Sequence, residues 1–500
     1  MKDMVLYRLC RKALWVIALV LTGMVCLLNI LYISEVASTG YEYVTVSTHF
    51  LCSILMLGIV GSLVVIAYGF RQKLESLDEK KLFRLLVTIY TVFALYLIFN
   101  VDNVIRADAK MVFNTALDVK NGIYDAFQPG QYIYRYPHQL GLMLYERILS
   151  EFSENPLFLF FANFLLVLGI NYLSWKISEE LFRDKLTNVL TMLLSFAFLP
   201  QLFFILFAYG LIPGFFFLML GFYQTLKYVR TQHVRNLTVM ILSVGIAVLL
   251  KQNNLIGGIA IIIYLFLHFL RTKNVRMFAA MAALVLSMFL PIEGLKDRYG
   301  HSAGVELNNP SPTVFWIAMG TDIDNCERGP GWYDSSSWNL YNQAGYDTEA
   351  ASELGKQKLS ENRKKIEAEP GRAFRFFLDK TISQWCDPMY ESTWSGPLED
   401  CGQYTHTDIL QSLYTGGTWA DGITGYLKTL CIGLWIFALL FLVLNAGKKT
   451  GWELMYLYLI GGLLFHTFWE GKSQYTYPYL FVLIPFAAYA VGEIMVSKKK

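Results

Sequence analysis

About a dozen apolar runs, most of them long enough to cross a lipid bilayer, alternate along this chain with two long polar insertions, residues 102–155 and 293–423. A hydrocarbon core takes roughly 20 apolar residues of helix to span. Such runs fall at 13–34, 49–69, 84–101, 156–175, 186–200, 203–227, 237–250, 255–271, 275–292, 424–446, 452–469 and 475–495. Those at 186–200 and 237–250 are short, so flanking residues or burial among other helices must complete them. The pattern predicts an all-α polytopic membrane protein of about 12 transmembrane helices, with interfacial helices in the insertions. Composition agrees, because 55% hydrophobic and 16% charged residues in a 500-residue chain are too apolar for a soluble domain.

Short basic loops set the orientation. Residues 1–12, 71–84, 227–235, 271–276, Lys448, Lys449 and residues 498–500 carry the Lys and Arg that mark a cytoplasmic face. Both termini are then cytoplasmic and both insertions external. The net charge of +3 reflects that orientation and implies no nucleic-acid surface. The first run leads into further spans rather than a cleavage site, so it reads as a retained helix. Cys326, Cys386 and Cys401 lie in the insertions. They allow one disulfide, Cys386 with Cys401, or three free thiols.

The first insertion carries the most chemistry. On a helix, Ile105, Ala109, Val112, Ala116 and Val119 form one apolar stripe, suited to a membrane interface. Asp108 flanks that stripe, roughly 60° from its centre, while Asp118 points to the solvated side. Asp102, at the mouth of the third span, is the competing acid. Either serves as a general base or caps the new helix. Pro137 then sets a turn before a second apolar stripe of Leu140, Met143, Leu144 and Ile148. Arg135 and His138 flank the turn. A guanidinium fork matches phosphate oxygens, though generic headgroups would also hold Arg135, and a cap or tyrosine contact would equally occupy His138.

Further candidates stand at helix ends. Lys251 falls in a four-residue break between apolar runs and either binds a phosphate or snorkels; Lys472 has the same two readings. His466, with Glu470 four residues later, is a titratable group inside a span and so a functional candidate, with an interhelical hydrogen bond the alternative. In the second insertion, Trp316, Trp332, Tyr333 and Trp338 hold an acceptor or pack the loop. A charged helix over 349–368 precedes one beginning at Pro370, where Phe374, Phe377, Leu378, Ile382 and Trp385 suit the membrane surface. The two insertions are expected to meet over the bundle and enclose a reaction centre. No zinc spacing, phosphate loop or nucleophile elbow occurs.

Several stretches resemble a known family. Asp-Ala-Lys-Met-Val-Phe-Asn-Thr-Ala (108–116) followed by Tyr-Arg-Tyr-Pro-His-Gln-Leu-Gly (134–141) is similar to the first external loop of GT-C class glycosyltransferases of the bacterial protein-mannosyltransferase and aminoarabinose-transferase type. Leu-Leu-Lys-Gln-Asn-Asn (249–254), Ala-Met-Gly-Thr-Asp (318–322) with Gly-Pro-Gly-Trp-Tyr-Asp (329–334), and Glu-Gly-Lys-Ser-Gln-Tyr-Thr-Tyr-Pro (470–478) extend the likeness over roughly residues 84–490. Two positions depart from it. The family's acidic pair is Asp108-Ala109 here, and the usual Arg before Tyr475 is Gln474.

The resemblance implies transfer of a sugar from a polyprenyl-phosphate carrier to a glycan, lipid or protein acceptor of the cell envelope, outside a bacterial plasma membrane. Asp108 would be the base, with Asp102 its rival, and Arg135, His138, Lys251, Lys472, Gln474 and Tyr475 would bind substrate. No cofactor beyond that donor substrate is indicated, and a divalent metal stays open. Four regions follow: an extra N-terminal hairpin (1–83), a membrane module (84–292) holding the first loop, the large external region (293–423) and C-terminal spans (424–500). The competing functions are a polytopic transporter and another lipid-carrier enzyme such as a polysaccharide polymerase. Against the transporter, no internal repeat is visible.

Overall fold

In the computed structural model a helix covers most of each apolar run. Residues 2–444, 446–447 and 449–497 are described; Lys448 and residues 498–500 of the basic pattern lie outside the described residues. Several helices begin where the chain supplies a cap: the side chains of Asp78, Asn155, Asp184, Asp347 and Thr407 each accept a backbone N–H in the first turn.

Among the described residues, seven helices are long and apolar enough to cross a membrane, or nine if each of two bent pairs is one span. That is the make-up of a multi-pass helical membrane protein, with fewer clear spans than twelve. The shortfall has a local cause. Val234–Leu250 and Trp452–Phe468 are 17 residues each, and Leu211–Thr231 carries Pro213, Gln224 and Lys227 within its length. The bent pairs are Lys185–Ala197 with Pro200–Leu206, at 49°, and Ser473–Phe481 with Ile484–Met495, at 44°.

One element was not expected. The first helix stops at Leu31, and an antiparallel hairpin follows, Tyr32–Val36 against Val44–Thr48, in register Tyr32↔Thr48 to Val36↔Val44. Its β-branched and aromatic residues suit a pleated ribbon, so the expected span 13–34 loses its last residues to a strand. The first helix is no appendage. It packs against helices Thr418–Leu444, Leu255–Thr272 and Trp452–Phe468. Lys428, fully buried in the first of these, donates to Asn29 Oδ1, Tyr32 O and Cys386 O, at 2.7–3.3 Å. By contrast, Phe50–Gly69 buries only Ser53 and turns its apolar surface outward.

Both helices of the first insertion form, as Ala107–Lys120 and Leu140–Ser150, but Ile105 precedes the first, and that stripe meets protein instead of lipid. Ile105, Ala109, Val112, Ala116 and Val119 are all buried, and Val112, Ala116 and Val119 share a cluster with Phe127, Ile133, Leu142 and Met143. In the second stripe Leu140 and Met143 are buried while Ile148 is exposed. Helix Pro370–Trp385 exposes one face at its start and buries the other. Phe374 is exposed, yet Phe376, Ile382 and Trp385 are buried, and buried Lys380 donates to the carbonyls of Gly320, Thr467 and Trp469. The charged helix forms as Thr348–Ala368. All seven cysteines are free, with Cys386 buried and Cys401 exposed.

Two ends of the bundle differ. At one, Arg11 bonds Glu453 and the carbonyls of Ala446 and Lys449, Arg71 reaches Met495 O, and Asn274 bonds Gln232. The insertions occupy the other.

Candidate functional site

Both insertions are tied together at that second end. Asp102 accepts the Tyr404 amide at 2.8 Å and contacts His406 Nε2 at 3.1 Å, beside a bridge between Val101 and Thr405. Arg106 donates to the carbonyls of Trp394 and Gly396, and Arg135 O accepts the Ser311 amide at 2.9 Å. Beneath these ties lies a cavity of about 910 Å³. Asp102, Asp108, Arg135, His138, Lys251, Lys472, Gln474 and Tyr475 all line it. Residues far apart in sequence are thus brought to one cavity.

Asp108 lies in the first turn of helix Ala107–Lys120, whose N-cap, Arg106, makes no side-chain cap. Neither acid caps this helix. Ala107 is left-handed, φ 52°, the kind of strained position that clusters at functional sites. The Asp108 side chain is exposed at the cavity surface, with the surrounding wall partly desolvating its carboxylate. That desolvation raises its pKa, against the pull of Lys472, Lys251 and Arg135. Tyr209 Oη lies 3.5 Å from Asp108 Oδ2 and also bonds Tyr132 Oη and Gln139 Nε2, at 2.9 and 2.8 Å. Asp102 differs. The Tyr404 amide and His406 hold its pKa below the usual value, and both its oxygens are engaged.

The cations differ as sharply. Lys251, C-cap of helix Val234–Leu250, sets its ammonium 3.9 Å from the Tyr209 ring centre and 5.8 Å from that of Tyr475. Burial and the Lys472 charge lower its pKa to about 7, with Asp108 and Glu470 opposing. Close approach puts it there: a Cβ on Gly210, φ 75°, would lie 2.3 Å from Leu250 O, and one on Gly141 would lie 2.1 Å from Leu249 O. Lys472 pairs with buried Glu42 from the hairpin loop. Burial alone would lower its pKa, but Glu42, Glu391 and Glu470 raise it. Arg135 stacks 3.8 Å over Trp338 and 5.3 Å from Tyr136, with its Nε buried and without an acceptor. Desolvation, then Lys251 and Lys296, depress His138 to about 4, so it is neutral at pH 7.

At the last motif, the Gln474 amide donates to Glu391 at 2.8 Å, and the Tyr475 ring stacks on His466 at 5.8 Å. His466 itself is fully buried 3.3 Å from Tyr479 Oη and stands apart from the cavity lining. Glu470 lines the cavity; burial raises it to about 7. Of the aromatic candidates, Trp316, Tyr333 and Trp338 line the wall. Trp332 does not; it is buried, with Nε1 bonded to Ser383 Oγ at 3.1 Å. Trp316 stacks on Trp469, planes 4° apart.

Sequence reasoning missed Glu42, Arg106, Tyr209, Arg328, Trp394 and Trp469, all lining residues. Only Trp469 had a local signal, its place beside the Glu-Gly-Lys motif. No group of three or more His, Cys, Asp or Glu able to hold a metal occurs among the described residues. The cavity therefore offers the carboxylates of Asp108, Glu42 and Glu470, several cations and stacking surfaces, and the cations and rings suit an anionic, ring-bearing substrate. No known family model matches the chain, and no curated protein matches it.

Proposed function

We propose that the protein is an integral-membrane glycosyltransferase that moves a sugar from a polyprenyl-phosphate carrier to an acceptor hydroxyl outside the cytoplasm. The observation that carries this reading is the meeting of Asp108 with Lys251 and Lys472 in one aromatic-walled cavity at the ends of apolar helices. A hydroxyl is a weak nucleophile, so a positioned carboxylate serves as base. The acceptor oxygen bonds the anomeric carbon, the carbon–oxygen bond to phosphate breaks with its electron pair leaving on the phosphate, and the acceptor proton passes to Asp108. Lys251 and Lys472 stabilise the departing phosphate.

The finer topology belongs to the same proposal. Helices Leu211–Thr231, Val234–Leu250 and Trp452–Phe468 join the nine spans to make twelve, each running between the basic end and the cavity end. Excess Lys and Arg then puts both termini in the cytoplasm and the cavity outside a plasma membrane.

Purified protein in lipid, incubated with a panel of polyprenyl-phosphate sugars and envelope acceptors, should release polyprenyl phosphate and glycosylated acceptor, both read by mass spectrometry. Solute flux across sealed vesicles with every lipid-linked sugar untouched would favour a transporter and end this reading.

A further inference from the structure

The cavity's cations sort by partner. Lys472 has Glu42, Lys296 has Glu293 at 2.8 Å, and Arg106 is held by two carbonyls. Lys251 lies in the fields of Asp108 and Glu470, and Arg135 feels Asp108 more weakly. Arg135 and Arg328 remain, and neither has an ion pair among the described residues. Both rest on aromatic faces instead: Arg135 on Trp338 and Tyr136, Arg328 at 5.3 Å from Tyr41 and 5.8 Å from Tyr333. Stacking of this kind leaves the in-plane N–H donors of a guanidinium free for an anion. One such donor, Arg135 Nε, is buried without an acceptor, which is costly for a charged group.

Placement separates this pair from the lysines. Lys251 and Lys472 stand at the ends of bundle helices, where a lipid-anchored phosphate is tethered. Arg135 and Arg328 are carried by the two insertions, and their aromatic partners Trp338 and Tyr333 also belong to the second insertion. A single lipid phosphate on the lysines leaves the arginine pair for a second anionic group, with Tyr136, Trp316 and Tyr333 as walls for the sugar or polyol between.

Resting on the glycosyl-transfer reading, we propose that the acceptor is itself anionic: a polyol or glycan chain with a phosphodiester next to the reacting hydroxyl, held by Arg135 and Arg328. Two phosphodiester oxygens match the guanidinium fork. The phosphodiester is unchanged by the reaction; only the neighbouring hydroxyl gains a sugar.

The test is binding without donor. Full-length protein in zwitterionic nanodiscs is titrated with a short glycerol-phosphate oligomer or a neutral oligoglycerol of equal length, followed by tryptophan fluorescence. The anionic oligomer should bind, with affinity falling as salt rises, and the neutral one should not. Arg328→Gln and Arg135→Gln should each weaken binding about tenfold, and Arg328→Lys should recover only part of the loss. Equal binding of the neutral oligomer, or wild-type affinity in both Gln variants with unchanged melting, would overturn the proposal. Oligomer binding without any consumption of lipid-linked sugar would instead sink the glycosyl-transfer reading, whereas transfer to neutral and anionic acceptors alike would sink this proposal alone.

Discussion

Desolvation by the cavity wall moves both groups whose charge the proposed transfer depends on, in opposite directions. Asp108 is pushed up and Lys251 down to about 7, while the working form needs the carboxylate ionised and the ammonium protonated. Transfer should therefore rise with pH as Asp108 loses its proton, at a pKa above its ordinary value, and fall again near neutrality as Lys251 loses its own. Arginine stays charged, so Lys251→Arg should remove the alkaline limb of kcat/KM and leave the acid limb; an unchanged alkaline limb would take Lys251 out of the site. Asp102 has a different role. Asp102→Ala loses the Tyr404 and His406 contacts and should cost about 1 kcal/mol, seen as lower thermal stability. Since the folded pKa of Asp102 is lowered, its contribution is present above the unfolded value and lost as pH falls through the folded one. The gap between wild type and variant should close only in strong acid.

Among the elements, the break after Leu250 controls where Lys251 stands. Gly210→Ala combines a left-handed backbone with a Cβ 2.3 Å from Leu250 O, so it should destabilise by roughly 2 kcal/mol or more and displace Lys251. Thermal melting and donor binding would both register it, and wild-type values for both would refute the close-packing account. Helices were legible in the sequence because a period of 3.6 survives any environment. Their partners were not: the stripe from Ile105 to Val119 has the same spacing whether it meets lipid or the Leu142–Met143 helix. The hairpin was hidden because Tyr32 and Ile33 continue the apolar run of the first helix, which masks where helix gives way to strand. Asp108, Arg135, Lys251 and Lys472 stood out as charges at apolar boundaries. Glu42 and Tyr209 did not, since only tertiary contact brings one to Lys472 and the other to Asp108.

Across the whole molecule, contacts among the basic loops at one end and between the insertions at the other divide the chain into two faces. If the cavity face is external, a cysteine placed at Asn342, exposed on the second insertion, should react with an impermeant thiol reagent in intact cells, and one at His233 should not. Labelling at His233 alone would invert the topology. The claim that joins these scales is that Asp108 takes the acceptor's proton in a lipid-linked sugar transfer. Its most direct test compares wild type with Asp108→Asn for donor binding and for transfer, in purified protein with a polyprenyl-phosphate sugar. The Asn variant should fold and bind donor as wild type does, while transfer falls by roughly 10²- to 10⁴-fold. Transfer at the wild-type rate in well-folded Asp108→Asn would contradict the account.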